Sequence, residues 1–422
     1  MSTIQSSPYS RLQSWLANAG GGFHPETGFS QDIAGSRIIA TEDLEKDIPA
    51  VSCPFSKIIT KTLAREAVLQ VLGNPSDVDN EDWTERQWIG TYLSLHWIIG
   101  ESESTALGHY EYLATLPGPK QLRTPLHFTQ DELELFKGTN LYGATLDRER
   151  DWKKEWDECR SFVAKINSQW GESFSWEKYL TAGTYLSSRS FPSSLLNKNP
   201  SLIATPSTEP VLIPGVDSLN HARAQPVSWV VTYPTEEEPV SEPKISLILH
   251  TSIAKEQELF NNYGPKPNSE LILGYGFSLP ANPDDTVVLK LGGAIDGKKW
   301  EIGRDARGAE GLWKEILSTL MEPGTELENA TYEDILDAAE MMQEMVQAKI
   351  DRLPPLVALN KEKFRPEVQS MFYHYIEGQA AILQSLFDFC GTREQEAIEL
   401  ARKQGINLVL DPNPEVDEEE DQ

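Results

Sequence analysis

The chain has 422 residues and is strongly acidic, with 37 Lys and Arg against 65 Asp and Glu and a formal net charge of −28. Such an acidic excess repels a phosphate backbone, so direct nucleic-acid binding is not expected and a basic partner is favoured. The chain also holds 11 Trp, 13 Tyr and 14 Phe, enough apolar bulk for a packed core and too much for a disordered chain.

Length and cysteine usage narrow the class further. A single core rarely grows beyond about 250 to 300 residues, so two domains or one domain with a large insert are expected. Cys53, Cys159 and Cys390 are far apart and show no metal-ligand spacing, which argues against a disulfide framework or a structural zinc site. No stretch approaches the roughly 20 apolar residues of a membrane span, and no secretory signal is present. We expect a cytoplasmic protein, with nuclear entry left open.

The first predicted elements are a short helix followed by strands. Residues 12–19 have the spacing of an amphipathic helix, and residues 37–40 predict a strand. The β-branched runs at 48–52 and 57–60 predict a second strand pair. The chain therefore begins as a β-rich structure.

A helical insert is predicted from about residue 63 to 190, because apolar residues there recur at helical spacing. Strand signals return at 226–233 and 244–250, where two β-branched runs flank an acidic loop and predict a hairpin. We expect both features within one β-rich domain that spans residues 1–282.

The remainder, residues 283–410, shows three helical patterns and predicts an all-α domain. One helix is predicted to begin at Thr331, because Asp334 follows at the spacing of an N-terminal capping box. Residues 411–422 hold seven acids and no base, which predicts a disordered, solvated tail. The predicted fold class is α+β.

Two segments carry the candidate functional residues. The first reads PGVDSLNH and ends at His221, with Asp217 and Asn220 inside it. The second reads ELFNNYGPKPNSELILGYGF and contains Tyr263 and Tyr275. Alone, each segment is more simply explained as a structural loop or a strand–turn–helix. Together they give D-x-x-N-H followed by N-Y-G-x-x-x-N-x-E-L-x-x-x-Y-G-F, and that order is far more specific.

This combination resembles the SET-domain methyltransferases, in the branch of the Rubisco large-subunit lysine methyltransferase, the fungal ribosomal-protein lysine methyltransferases and the actin histidine methyltransferase. Further matches are GSRIIATEDLEKDIPAVSCPFSKIIT, SESTALGHYEYLATLP, TPLHFTQDELELFKGTNLYG and SSRSF, so the resemblance covers most of the chain. It implies a β-rich SET fold with the helical insert, a substrate-binding domain at 283–410, and S-adenosyl-L-methionine as methyl donor without a metal. A Rossmann-type enzyme or a hydrolase is not supported, since G-x-G-x-x-G, G-x-S-x-G and H-E-x-x-H are all missing.

The resemblance also implies roles for individual residues. Tyr263 is expected to be the catalytic residue, where its hydroxyl meets both the methyl donor and the acceptor, and Tyr275 to form a wall of the acceptor channel. Asp217 is expected near the acceptor amine, while Asn220 and His221 bind the methyl donor. Further residues expected to bind the methyl donor are Ala34, Gly35, Ser36 and Arg189.

Two features depart from the family pattern. The usual G-x-G of the cofactor loop is Gly35-Ser36-Arg37 here, so the second glycine is lost and a Cβ stands where close approach is normal. The spacing from Tyr263 to Tyr275 is also about one residue shorter than in the plant enzyme.

The implied function is S-adenosylmethionine-dependent lysine N-methylation of a basic, non-histone protein such as a ribosomal protein or a translation factor. A lysine amine, with a reference pKa near ~10.4, must lose a proton before it attacks, and an apolar channel beside a sulfonium favours that loss. Two alternatives stay open: a histidine acceptor, and a SET-like binding module without turnover. We expect a monomer.

Overall fold

The computed structural model describes residues 7–32, 35–73, 82–101, 104–234, 242–291, 298–356, 359–360 and 362–408. The chain divides into two compact units. The first contains Met1–Asp131, Ala144–Lys266 and Glu270–Phe277; the second contains Glu132–Gly143, Pro267–Ser269 and Ser278–Gln422. Where the sequence predicts one boundary near residue 282, the units therefore interleave along the chain. The predicted tail at 411–422 lies outside the described residues.

The strands, in chain order, are β1 (Gly22–Phe23), β2 (Thr27–Asp32), β3 (Gly35–Ala40), β4 (Ile48–Pro54), β5 (Ser190–Pro192), β6 (Pro210–Leu212), β7 (Asn220–His221), β8 (Val227–Thr232), β9 (Lys244–Leu249), β10 (Phe260–Asn261), β11 (Thr286–Lys290) and β12 (Lys299–Gly303). The helices are α1 (Pro8–Ala17), α2 (Lys61–Val71), α3 (Glu85–Ile99), α4 (Tyr110–Leu113), α5 (Gln130–Glu134), α6 (Asn140–Ile166), α7 (Ser168–Ser173), α8 (Trp176–Arg189), α9 (Asn268–Glu270), α10 (Ala309–Leu320), α11 (Tyr332–Ile350) and α12 (Pro366–Lys403).

The largest sheet of the first unit is antiparallel, in the order β1-β4-β9-β8. Its β8–β9 pair confirms the predicted hairpin. The prediction of a strand at 57–60 is wrong. The chain turns through a 3₁₀ helix at Phe55–Lys57, after which Ile59 makes a single bridge to Leu212. Ile58 and Ile59 are fully buried, so this apolar run packs into the core with only that one bridge to β6.

The predicted helical insert is confirmed, since helices α2 to α8 fill the region from Lys61 to Arg189. Helix α3 begins at a capping box formed by Thr84 and Gln87 and is buried around most of its circumference. Its Trp88 ring packs against Trp83, with ring centroids 4.7 Å apart. A helix that is apolar on several faces belongs inside a core, and the insert is therefore built around α3.

The second unit is mainly helical, but the prediction that it is all-α is wrong. Strands β11 and β12 pair as an antiparallel hairpin at its start. The alternation of Val287 and Leu289, both buried, is the period of a strand, and these side chains join the core formed with α10, α11 and α12. The predicted capping box of Thr331 and Asp334 is confirmed at the start of α11.

Segment Glu132–Gly143 completes the second unit from far away in the sequence. Phe136 is fully buried, and its ring contacts Phe372 and Tyr375 of α12 at centroid distances of 5.7 and 6.2 Å. Glu132, 2% exposed, accepts hydrogen bonds from the Arg365 guanidinium at 2.9 and 2.7 Å. A buried carboxylate held by a fork of donors fixes the segment in register with the start of α12.

In the described segments, no helix combines the length and the apolar character needed to cross a lipid bilayer. The same segments contain no group of three His, Cys, Asp or Glu residues arranged to hold a metal ion.

Candidate active site

The two motif segments lie side by side in the first unit. Strand β7 pairs in parallel with β10, with Asn220 opposite Phe260 and His221 opposite Asn261. The chain just before β10 runs along β3, where the Leu259 amide donates to the Ile38 carbonyl at 2.8 Å. Three distant parts of the sequence thus meet at one place, and each brings candidate residues with it.

Tyr263 lies at the centre of this meeting point. Its amide donates to His221 Nδ1 at 3.0 Å, and its hydroxyl donates to the Leu219 carbonyl at 2.9 Å. Its ring stacks with that of His221 at a centroid distance of 5.0 Å. Burial raises the pKa of Tyr263 above its usual value, although the nearby Arg189 charge opposes the rise. The side chain therefore stays a neutral phenol at physiological pH.

Tyr275 forms an aromatic wall beside Tyr263. The two rings stack at a centroid distance of 5.2 Å and an interplanar angle of 24°. Phe277 meets the edge of Tyr275 at 6.2 Å, and the Lys266 ammonium lies 5.7 Å from the Tyr275 ring centroid. Burial raises the pKa of Tyr275 as well. The site is thus lined by stacked, neutral aromatic rings.

Tyr275 ends a π turn, Leu271–Tyr275, which follows the single helical turn α9. Gly276 closes the turn in a left-handed conformation, with φ 79°, and its amide donates to the Leu271 carbonyl at 2.9 Å. Such wide turns are rare and are frequent at functional sites. In this geometry Tyr275 meets Tyr263 in spite of the shorter spacing.

Replacing Gly276 with alanine is expected to lower the free energy of unfolding by about 2 kcal/mol or more, because it combines left-handed strain with a backbone clash. A Cβ there would lie 2.7 Å from the Arg123 carbonyl carbon and 2.9 Å from the Thr124 nitrogen. Gly73→Ala is the matched control, since Gly73 has φ 81° but no atom within 4 Å of a built Cβ. Equal losses in chemical denaturation for both variants would contradict the clash.

Asp217, which is buried, forms an ion pair with the half-buried Arg189 near the Tyr263 ring. Arg189 Nη1 contacts Asp217 Oδ2 at 3.2 Å and the Asp217 carbonyl at 3.0 Å, while the Tyr112 hydroxyl donates to Oδ2 at 2.8 Å. Burial raises the pKa of Asp217, and the Arg189 guanidinium and the Tyr112 hydroxyl oppose the rise. The other carboxylate oxygen, Asp217 Oδ1, is buried without a hydrogen-bond partner among the described residues. Such an acceptor is costly unless a ligand supplies a donor.

Part of the Arg189 guanidinium makes no hydrogen bond within the described part of the chain. Its side chain is 25% exposed, and its hydrogen bonds within the described part of the chain use Nη1 alone. A guanidinium presents five N–H donors in a planar fork that suits a carboxylate. The geometry leaves part of that fork available to an anionic group.

Asn220 and the start of β3 form the exposed side of the site. Asn220 Nδ2 donates to the Ser36 carbonyl at 3.2 Å and to Glu258 Oε1 at 2.7 Å, which uses both amide hydrogens and leaves Oδ1 as an acceptor. Gly35 has φ 132° and no heavy atom within 4 Å of a built Cβ. The Ser36 hydroxyl is hydrogen-bonded to that of Tyr9.

Arg37 stands at the position of the second glycine of the family pattern. Ile38 and Ala40 of β3 are buried, so Arg37, one position out of phase, lies on the opposite face of the strand. Of the residues predicted to bind the methyl donor, Ala34 lies outside the described residues. The structure brings the other predicted residues into one region of the first unit.

Tyr112 and Glu258 belong to the site but were not predicted. Tyr112 is fully buried in the helical insert, where its spacing is that of any core residue, so no sequence signal distinguishes it. Glu258 opens the second motif segment and is linked to the site only by its bond to Asn220. That contact joins residues 38 positions apart and depends on the β7–β10 pairing.

Two of the known proteins that this sequence resembles are ribosomal lysine N-methyltransferases. No protein-family model matches the sequence. Ribosomal lysine N-methyltransferase set10 of Schizosaccharomyces pombe is 36% identical over 253 residues, covering 60% of this chain and 41% of that protein. Ribosomal lysine N-methyltransferase 1 of Saccharomyces cerevisiae is 30% identical over 212 residues, covering 43% of this chain and 34% of that protein. The chain spans less than half the length of these two curated relatives.

Solved structures match over nearly the whole chain. The SET domain of LSMT bound to lysine and AdoHcy has a TM-score of 0.69 at 15% identity, covering 93% of this chain and 93% of that chain. Rubisco LSMT bound to AdoMet has a TM-score of 0.67 at 16% identity, covering 97% of this chain and 98% of that chain. These matches show that the chain has the SET-domain fold, with a mainly helical carboxy-terminal region.

Proposed function

We propose that this chain, which has the SET-domain fold, is an S-adenosylmethionine-dependent protein-lysine N-methyltransferase. The ribosomal lysine N-methyltransferases that it resembles support this proposal. One observation carries the proposal: Tyr263 stacks with both His221 and Tyr275 and lies in the field of the buried Asp217–Arg189 pair. This arrangement provides aromatic walls beside which an amine could be placed, together with polar groups that suit an amino-acid moiety.

We assign Arg189, Asn220, His221 and the backbone of Gly35 and Ser36 to binding the methyl donor. The remaining donors of Arg189 suit its carboxylate, and Asn220 Oδ1 suits its ammonium group. When bound, the donor supplies an electrophilic methyl group on a sulfonium. The fit requires no metal ligand.

Tyr263, Tyr275 and Asp217 would handle the acceptor. Because Tyr263 stays protonated, it acts by hydrogen bonding and not as a base. Its hydroxyl donates to the Leu219 carbonyl and retains lone pairs for polarised hydrogens. Removal of an entering lysine from water disfavours its ammonium form, which promotes loss of its proton to solvent. Asp217 would orient the amine before that loss through its negative charge.

We further propose that the client is a basic protein, such as a ribosomal protein or a translation factor, which a monomeric enzyme meets in the cytoplasm or the nucleus. Two relatives carry the name ribosomal lysine N-methyltransferase, and the chain has a net charge of −28. Helix α11 presents acids on one exposed face at helical spacing. They are Glu333, Asp337, Glu340 and Glu344. This face would attract a basic client and make association fall with added salt.

The proposal is tested by incubating the pure protein with tritiated S-adenosylmethionine and a lysate from cells that lack the gene. We expect one or a few labelled proteins, with mass spectrometry placing the methyl group on lysine. Label on histidine would change the acceptor and keep the enzyme class. Binding of S-adenosylhomocysteine without any labelling would favour a binding module, and neither binding nor labelling would refute the proposal.

Replacing Asn220 with alanine is expected to raise the apparent KM for S-adenosylmethionine about tenfold, because a lost polar partner in a binding site costs about 1 to 3 kcal/mol. Calorimetry with S-adenosylhomocysteine measures the same loss without turnover. Asn329→Ala, at an exposed asparagine of the second unit, is the control. Wild-type affinity in the Asn220 variant would exclude this residue from cofactor binding.

A further inference from the structure

We infer that Arg148 and Ser187, two residues of the helical insert, are positioning residues that fix where the Tyr275 ring stands in the site. The inference concerns a contact between the insert and the π turn that carries Tyr275. Its activity readouts rest on the proposed function, whereas its structural readout does not.

The π turn leaves backbone carbonyls that the helix itself does not satisfy. The helical path ends at Gly276, which is left-handed. The carbonyls of the last residues of the turn therefore have no following helical amide from which to accept a hydrogen bond. Arg148 Nη1 donates to the Leu273 carbonyl at 2.7 Å, and Ser187 Oγ donates to the Gly274 carbonyl at 3.2 Å. The two carbonyls directly before Tyr275 are therefore held by side chains of α6 and α8.

The other interactions of the Arg148 guanidinium are a contact with an aromatic ring and the charges of its neighbours. Its guanidinium lies 5.6 Å from the Trp152 ring centroid, and Arg86 lies 5.0 Å from the same centroid. Burial, together with the charge of Arg86, lowers the pKa of Arg148, with Glu270 opposing. No carboxylate of the described residues lies within ion-pair distance of Arg148. A half-buried cation beside a second cation is unfavourable, and the bond to the Leu273 carbonyl and the contact with the Trp152 ring offset this cost.

Ser187, unlike Arg148, has a second acceptor for its hydrogen bond. Its hydroxyl also lies 3.1 Å from the Thr184 carbonyl of its own helix, so one hydrogen is shared between two acceptors. Ser187 should therefore contribute less than Arg148. The two residues form a graded pair for testing.

Loss of these bonds would let the π turn relax and would move Tyr275 relative to Tyr263. The centroids of the two stacked rings are 5.2 Å apart. The position of that wall determines how much room the acceptor nitrogen has for added methyl groups. The effect should therefore appear in kcat and in the ratio of mono- to higher-methylated product. Affinity for the methyl donor, which we assign to other residues, should stay unchanged.

The experiment compares Arg148→Met, Arg148→Lys and Ser187→Ala in the full chain. Methionine keeps an apolar stem over Trp152 and removes the donors, while lysine restores one donor. Arg150→Met is the matched control on the same helix, because Arg150 is exposed and pairs with Asp147 and Asp151. The readouts are hydrogen exchange of the peptide covering 271–277, kcat, product distribution by mass spectrometry, and calorimetry with S-adenosylhomocysteine.

In Arg148→Met we expect faster exchange confined to 271–277, a changed product ratio, and a loss in kcat of about tenfold, since small misplacements in a site are costly. Arg148→Lys should recover most of this, Ser187→Ala should show a smaller change in the same direction, and Arg150→Met none. Should Arg148→Met lose its fold, with exchange also raised in α3, Ser187→Ala decides the question.

Unchanged exchange at 271–277 in both Arg148→Met and Ser187→Ala, or an unaltered product ratio in active variants, would overturn the inference. Locally raised exchange in a protein whose wild type shows no methyl transfer would instead refute the proposed function and leave the structural role of Arg148 standing. The two failures are therefore distinguishable.

Discussion

Replacing Tyr263 with phenylalanine is expected to lower methyl transfer by about 10² or more, the scale of losing one transition-state polar contact, without unfolding the protein. The substitution removes only the hydroxyl and its bond to the Leu219 carbonyl. The ring contacts with His221 and Tyr275 remain, and so does the bond from the backbone amide to His221. Cofactor affinity should therefore be largely retained.

Tyr185→Phe provides the matched control for this loss. The Tyr185 hydroxyl also donates to a backbone carbonyl, that of Pro117, at 2.6 Å, and this residue is 2% exposed. Both variants thus lose a tyrosine-to-carbonyl bond, but the catalytic role is assigned to the Tyr263 hydroxyl alone. Single-turnover rates with tritiated donor separate them. Equal rates in Tyr263→Phe and Tyr185→Phe would remove Tyr263 from the catalytic role.

Two buried histidines are expected to contribute a fall in the free energy of unfolding as the pH drops below about 6.5, because their hydrogen bonds are those of the neutral rings. His96 Nδ1 lies 2.9 Å from the Tyr92 carbonyl, to which it donates, and Nε2 accepts the amide of His109 at 3.3 Å. His109 Nε2 donates to the Lys57 carbonyl at 3.2 Å, so its Nδ1 accepts from the Tyr92 hydroxyl. Protonating either ring would place a hydrogen against an existing donor.

Burial lowers the pKa of His96 to about 4 and that of His109 to about 3. The unfolded chain, with pKa values near ~6.5, binds more protons below that pH, so stability present above about 6.5 is lost as the pH falls toward the folded values. The two shifts together amount to on the order of 5 kcal/mol by about pH 4, comparable with the whole stability of many proteins.

Melting temperatures from pH 7.5 to 4 measure this dependence. His96→Gln should be less stable at neutral pH but should show a shallower pH slope, because one titrating group is gone. An unchanged slope in His96→Gln would exclude the buried pair as the cause.

Much of the site could be predicted because its residues lie in two short motifs whose order is specific. The two motifs identify Asn220, His221 and Tyr263 from the order of residues alone, without any knowledge of the fold. Their meeting depends on β7 and β10, strands of two residues each, and a strand that short has no periodicity to detect. The sequence could thus predict which residues lie together, and not the pairing that joins them.

Other features carry no local signal at all. Tyr112 occupies a helical position like any core residue, and its bond to Asp217 spans 105 positions. The π turn at Leu271–Tyr275 replaces the ordinary helix that its apolar residues suggest, and two of its carbonyls accept from Arg148 and Ser187. Such choices are made by tertiary contacts, which outweigh local propensity.

Segment Glu132–Gly143 bears on how the protein is made in the cell. Phe136 belongs to the core of the second unit, yet the ribosome adds it long before Phe372, and Glu132 precedes its partner Arg365 by 233 positions. At about 5 to 20 residues per second, the nascent chain carries this apolar segment unpaired for roughly 10 to 50 s. During that time it is a natural target for chaperones. A fragment ending near residue 282 would keep it exposed permanently, so the second unit cannot be removed by one cut.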